Sequence, residues 1–439
     1  MNQLSKTGRN FGIIGKRFVI SIMTASLLIF PMSPAVVLAA TDEEAATAAA
    51  HATEYLEANQ NEDGSIAGYG GETEWSIIAF EASGTDADTV ESDAGNSTIE
   101  FLESDKPTET TSATTIERKI LAINASGKDS KNFDGVDYNQ ELKDQHNNDQ
   151  IGEVTLLNDD FFGVLAIDAS GDESMMHIAQ DSLDYFLEHQ KDDGSFTYTT
   201  VDCGVYCIPN SNDTAAAIQA MYAAERLGLE NIALFSSKDK AIVYLLSTQN
   251  EDGGFGYDLV SPSDGSSTAW ALMALNLVGS CAKTQALAAR NWLITNQNED
   301  GGFGYVAYGS NFSDTYTTAH AVTAILGSSW TLDSAANFSG DQSLSICEKS
   351  VVLPLGKTTS NNNDSTIISV LSPTVFAADG IDKNSSEKKT ESKKESSEDK
   401  NAVLQSADSA WKIAIPVILI LVAIAWYLLQ SRGKKTGVA

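Results

Sequence analysis

The chain has 439 residues, of which 42% are hydrophobic and 20% charged, an ordinary globular composition. The 28 Lys and Arg residues face 60 Asp and Glu, a formal charge of −32, and the acidity is concentrated: residues 41–350 carry 13 basic and 51 acidic groups, net −38, and the rest sums to +6. Nucleic-acid binding is excluded by this balance, because a phosphate backbone requires a basic surface. Four cysteines are too few to build the fold, although they can trim it in an oxidising compartment.

Residues 1–40 hold Lys6, Arg9, Lys16 and Arg17 but no acid, followed by an apolar run from Phe18 to Phe30 and the small residues Ala39 and Ala40. This reads as a secretory signal, excluded from the fold. The span 41–350 is long enough to bury a substantial core. Residues 351–409 read as a low-complexity linker, and the Ser-, Lys- and Glu-rich stretch 379–409 buries too little apolar surface to fold, so it is expected to be a disordered stalk. Ile413 to Leu429 is uninterrupted apolar sequence or Pro, bordered by Trp411, Trp426 and Tyr427 and followed by Arg432, Lys434 and Lys435. A single transmembrane helix is expected over 410–431, with 432–439 a short basic cytoplasmic tail and the acidic domain outside the cell.

Within the acidic span four stretches repeat: QNEDGS at 60–65, QKDDGSF at 190–196, QNEDGGFGY at 249–257 and QNEDGGFGY at 297–305. An aromatic and a large apolar residue precede each by five and four positions, namely Tyr55 and Leu56, Tyr185 and Phe186, Tyr244 and Leu245, and Trp292 and Leu293. These offsets share one face of a helix ending at the Gln, and the following Asp-Gly or Gly-Gly supplies a chain reversal. Apolar, Ala-rich runs come next, with N-caps expected at Glu72 or Thr73, Asn212 or Asp213, Ser266 or Ser267, and Ser313 or Asp314. A helix apolar on all sides must be buried on all sides. The unit is therefore an outer amphipathic helix, a glycine turn and an inner buried helix. Two weaker units, 97–127 and 139–171, with Gln145 in the place of the repeated Gln, bring the number to six. Six hairpins without capping repeats predict an all-α fold, a closed (α/α)6 toroid.

The repeat resembles that of the squalene cyclase and protein prenyltransferase β-subunit superfamily over roughly residues 43–345, which implies the same toroid. That fold hosts several functions, so the site must decide. The resemblance to cyclases implies a proton-donating middle acid in an Asp-x-Asp-Asp-Thr-Ala motif, but the matching stretch, Asn210 to Ala215, has Asn212 at that position. The resemblance to prenyltransferases implies Asp, Cys and His zinc ligands. Here Asp202, Cys203 and Asp314 match in part, Thr317 occupies the place of the His, and His320 lies a turn further on. Neither a metal centre nor a cofactor is expected.

Candidate acids at inner-helix N-termini are Asp159, Asp160, Asp213 and Asp314, each also suited to helix capping. Trp75, Phe162, Trp270, Tyr316 and His320 either line a ligand pocket or fill the barrel. Cys203 and Cys207 are expected to form one disulfide, and Cys281 and Cys347 another. The preferred reading is a cell-surface module that binds a small molecule or surface ligand without chemistry. Two alternatives stand beside it: an exported enzyme acting on a polyprenyl or glycan substrate, and a structural or adhesive display module.

Overall fold

A computed structural model describes residues 40–333 apart from 148, 205–206 and 306–311. The expected signal, stalk, membrane helix and tail lie outside these residues, and among the described residues no helix is long and apolar enough to cross a membrane. Twelve α-helices are present among them. The outer set is α1 (Asp42–Ala58), α3 (Thr98–Ser104), α5 (Tyr138–Asp144), α7 (Met176–Glu188), α9 (Leu234–Ser247) and α11 (Lys283–Thr295). The inner set is α2 (Gly70–Ser83), α4 (Ala113–Ala125), α6 (Leu157–Ser170), α8 (Ser211–Arg226), α10 (Gly265–Val278) and α12 (Thr315–Ile325). A two-stranded antiparallel pair, β1 (His146–Asn147) and β2 (Gln150–Ile151), is inserted between α5 and α6.

Each inner helix packs on the next, and α12 packs back on α2, so the ring closes. The sequence pattern explains the layering. In α8 every residue from Thr214 to Ala224 is buried, and in α2 every residue from Thr73 to Phe80 is. Such helices must be surrounded on all sides, whereas α7 and α9 bury one face only.

The repeated motif stitches one hairpin to the next. Its Gln side chain donates from Nε2 to a carbonyl of its own turn and to another in the following outer layer: Gln60 to Gly64 and Val90, Gln190 to Gly194 and Ser237, Gln249 to Gly253 and Gln285. Gln297, in the last copy, reaches Gly301 and then Ala48 of α1, at 2.7 Å each, and thereby joins the end of the ring to its beginning. At Gly301 the backbone has φ +85°, and a Cβ there would strike the His51 carbonyl oxygen of α1, so only glycine permits this approach. Arg290 reinforces the same seam, donating to Asp42 and to the Ile325 carbonyl at 2.8 Å.

Two sequence expectations shift. The inner helices begin earlier than expected, with Asn210 and Asp264 as caps that accept the backbone N–H groups of Asp213 and Ser267, while Asp314 caps α12 as expected. The threonines of the first turn do other work: Thr73, Thr214, Thr268 and Thr318 accept the N–H of Ile66, Phe196, Phe255 and Phe303. Gln145 does not behave as a repeat Gln, since its amide makes one long 3.4 Å contact backward to the Thr111 carbonyl. The chain after it turns into β1 instead of a glycine turn.

Candidate functional site

The N-terminal ends of the inner helices surround a cavity of about 330 Å³ lined by Trp75, Arg118, Phe162, Asp213, Trp270 and Tyr316, with Thr114, Asn158, Phe161, Tyr198 and Ala216 completing the wall. Other concavities lie beside Asp42 and Arg290 and beside Thr41 and His51, but they lack this convergence of aromatic and titratable groups. The expected aromatics divide between the two roles held open for them. Trp75, Phe162, Trp270 and Tyr316 line the cavity; Tyr316 packs against His320, and the other three also pack on a further ring. Their packing partner is Trp330, a buried residue just after α12, whose ring centroid lies 5.7 Å from Trp75, 4.9 Å from Phe162 and 4.7 Å from Trp270. Trp330 therefore backs three of the lining aromatics without itself lining the cavity. It falls outside the repeat, and only its large apolar character before the linker could have flagged it.

His320 belongs to the fill and not to the wall. It is 2% exposed and sits 4.9 Å from the Trp75 ring and 5.5 Å from Trp270, and its Nδ1 lies 2.7 Å from the Tyr316 carbonyl oxygen. Burial lowers its pKa to about 4, so the ring is neutral, and Nδ1 carries the proton it donates to that carbonyl. Among the described residues no group of His, Cys, Asp and Glu is placed to hold a metal ion. Cys203, one of the matched zinc-ligand positions, is bonded to Cys207 as expected. Cys281 is disulfide-bonded as well, and its expected partner Cys347 lies outside the described residues.

The candidate acids separate by geometry. Asp213 lines the cavity. Its Oδ2 accepts from Asn210 Nδ2 at 2.6 Å, and enclosure by protein raises its pKa to about 6 against the pull of that bond. Asp314 is the α12 cap, accepting from Thr317 N. Asp159 and Asp160 are buried to the side, between α4 and α6. Asp159 accepts from Thr114 Oγ1 at 2.6 Å and from Glu153 N at 3.1 Å, and Asp160 from Ile151 N at 3.1 Å. Burial raises both, Asp160 to about 8. Sequence reading missed their neighbour Glu117, fully buried on α4, whose carboxyl is pushed well above the usual range by burial and then by Asp159 and Asp160. None of these three carboxyls is among the residues that line the cavity.

Arg118 is the cationic lining residue. Its Nε donates to the buried Glu74 at 2.8 Å, while Lys119 lies 3.7 Å from Glu74 and 2.9 Å from Asp105, a balanced set of two cations and two anions.

A family model of the prenyltransferase alpha-alpha toroid domain matches residues 20–305. Drimenyl diphosphate synthase of Streptomyces showdoensis is 32% identical over 91 residues, 21% of this chain, and the match spans only 16% of that protein's length. Among solved structures, a type II terpene cyclase from Scytonema is similar at 14% identity and a TM-score of 0.47, covering 65% of this chain and 98% of that one. A glycosyl hydrolase family 88 protein from Bacteroides vulgatus is similar at 11% identity and a TM-score of 0.48, covering 66% and 99%.

Proposed function

The chain belongs to the prenyltransferase alpha-alpha toroid family, and from that premise we propose that it is a membrane-anchored cell-surface module that holds a small ligand in the aromatic cavity without transforming it. The observation that carries this reading is the composition of the wall: six aromatic side chains line it together with one carboxyl, Asp213. Alkene protonation by a cyclase demands a strong acid, yet the position that supplies it in the matched motif is Asn212. Asp213, the next residue, spends its Oδ2 on the Asn210 amide. Glycan hydrolysis requires two carboxyls across a bond. Among the described residues that line the cavity, Asp213 is the one carboxyl.

Anchoring and export rest on the sequence of the two ends, residues 1–40 and 410–431. Native mass spectrometry of the full-length chain purified from its own host tests the binding reading. The expected result is a retained small molecule that is lost in Trp270→Leu. An empty wild-type protein would shift the reading to the display alternative.

A further inference from the structure

We infer that the cavity seats an ammonium ion carried on an apolar body, with the charge against Asp213 and Asn158 and the body against Trp75, Trp270 and Tyr316. This rests on the proposed binding role and names the class of ligand.

The argument begins with charge. Arg118 is occupied by Glu74 and Lys119 by Asp105, so the cationic side of the wall is already balanced. Asp213 has no such counterpart: its neighbours are the neutral Asn210 amide and the Tyr198 backbone. The domain around it carries a large negative excess over residues 41–350, which raises the local concentration of cations at a recessed site.

Hydrogen-bonding capacity points the same way. Thr114 Oγ1 donates to Asp159, and the Asn158 amide donates to Thr114 and Asp159, both at 3.3 Å, so these two polar wall residues have spent their donors inward. Asn158 Oδ1, in contrast, is a buried acceptor with no partner. In the wall Asn158 Oδ1 is an acceptor without a partner and Trp270 Nε1 a donor without one, while Asp213, which accepts from Asn210 and the Tyr198 backbone, is the one carboxyl and favours a cation that brings N–H donors. A carboxylate or phosphate ligand would be repelled by Asp213, and Arg118, the cation of the wall, is already engaged by Glu74.

The rings supply the remaining term. Trp75, Trp270 and Tyr316 line the same cavity as the Asp213 carboxyl. A cation held over desolvated Trp and Tyr faces is attracted by the negative face of each ring. Large apolar side chains are exposed in the loops that lead into the inner helices at this end, Tyr69, Val201, Val260 and Tyr305 among them. They extend an apolar surface outward for the body of the ligand.

The test is calorimetric titration of the full-length chain at pH 7.5 with 3-phenylpropylammonium and with 3-phenylpropanol, which keeps the body and removes the charge. The expected result is at least tenfold tighter binding of the ammonium. Asp213→Asn, which keeps the Asn210 contact, is expected to abolish that preference while leaving the alcohol's affinity within twofold, with thermal melting confirming the fold. Trp270→Leu is expected to weaken the ammonium at least fivefold. Equal affinity for the two probes would overturn the charge assignment and leave the binding role standing. Binding of neither, alongside a co-purified ligand of another class, would overturn this inference alone; binding of neither by a protein that also purifies empty would overturn both.

Discussion

Two arcs of the same ring hold together by different chemistry. The motif-bearing hairpins, α1–α2 and α7–α12, share a repeated set of neutral amide contacts from Gln60, Gln190, Gln249 and Gln297 to backbone carbonyls, with the ion pairs Lys238–Glu225 and Arg290–Asp42 beside them. The hairpins without the motif, α3–α6, are joined by ionisable groups: Glu74 with Arg118 and Lys119, Asp172 with Lys131 and Lys143, and the buried carboxyls Glu117, Asp159 and Asp160. The lesson is that a repeat architecture tolerates loss of its motif where another set of contacts closes the gap, but the replacement is sensitive to pH and to the loss of a single partner.

The largest effect belongs to the ionisable arc. Glu74→Gln leaves Arg118 and Lys119 facing a neutral side chain, and Lys119 is 1% exposed. Breaking a buried pair of this kind costs about 3–5 kcal/mol, and denaturant unfolding should register it. Gln297→Ala, in the neutral arc, removes two hydrogen bonds at the seam and leaves their carbonyls unmet, a loss of about 2–3 kcal/mol measured the same way. If Gln297→Ala proved more costly than Glu74→Gln, the contrast between the arcs would be reversed.

Acid and base should sharpen the contrast further. Asp160 has its pKa raised by burial, from 3.8 to about 8, so the folded protein retains a proton that the unfolded chain releases. Its contribution is therefore greatest at low pH and declines as pH climbs from about 4 to about 8. At Asp172 burial alone would raise the carboxyl, but the Ser174 hydroxyl and the Lys131 and Lys143 ammonium groups outweigh it and hold the group well below the ordinary carboxylate range. Its contribution is present above the unfolded value, near 3.9, and lost as pH falls below it. Melting temperature should accordingly rise from pH 8 to about pH 5 and fall below about pH 4. Asp160→Asn should flatten the first limb and Asp172→Asn the second; unchanged limbs would detach these residues from the arc's stability.

The smallest effect is expected at Gln145→Ala. Its one long contact to Thr111 should be worth no more than about 0.5 kcal/mol. A loss as large as that of Gln297→Ala would restore Gln145 to the repeat.

The toroid was legible because its signals are local and repeated: Gln, Asp-Gly and an all-apolar helix recur in the four motif-bearing hairpins. Ring closure was legible only as a count of six, since the Gln297 contact to Ala48 joins positions remote in sequence. The cavity was half legible. Trp75, Phe162, Trp270 and Tyr316 could be placed near inner-helix N-termini by position, and Asp213 through its motif. Trp330 and the Glu117 cluster could not, because their neighbours are set by how α4, α6 and the segment after α12 come together, which no local period encodes. Asp159 and Asp160 illustrate the ambiguity: a pair of acids at a helix start reads the same whether it faces a cavity or, as here, the next helix.

The central claim is that the cavity binds without chemistry, and the most direct test is the fate of the bound molecule. The full-length chain should be isolated with its ligand, incubated at its working temperature, and the small molecule released and weighed before and after. The account predicts an unchanged mass, released at the same rate from wild type as from a variant in which Asn212 is replaced by Ala. A product of altered mass whose formation stops in Asp213→Asn would contradict it and make the toroid an enzyme.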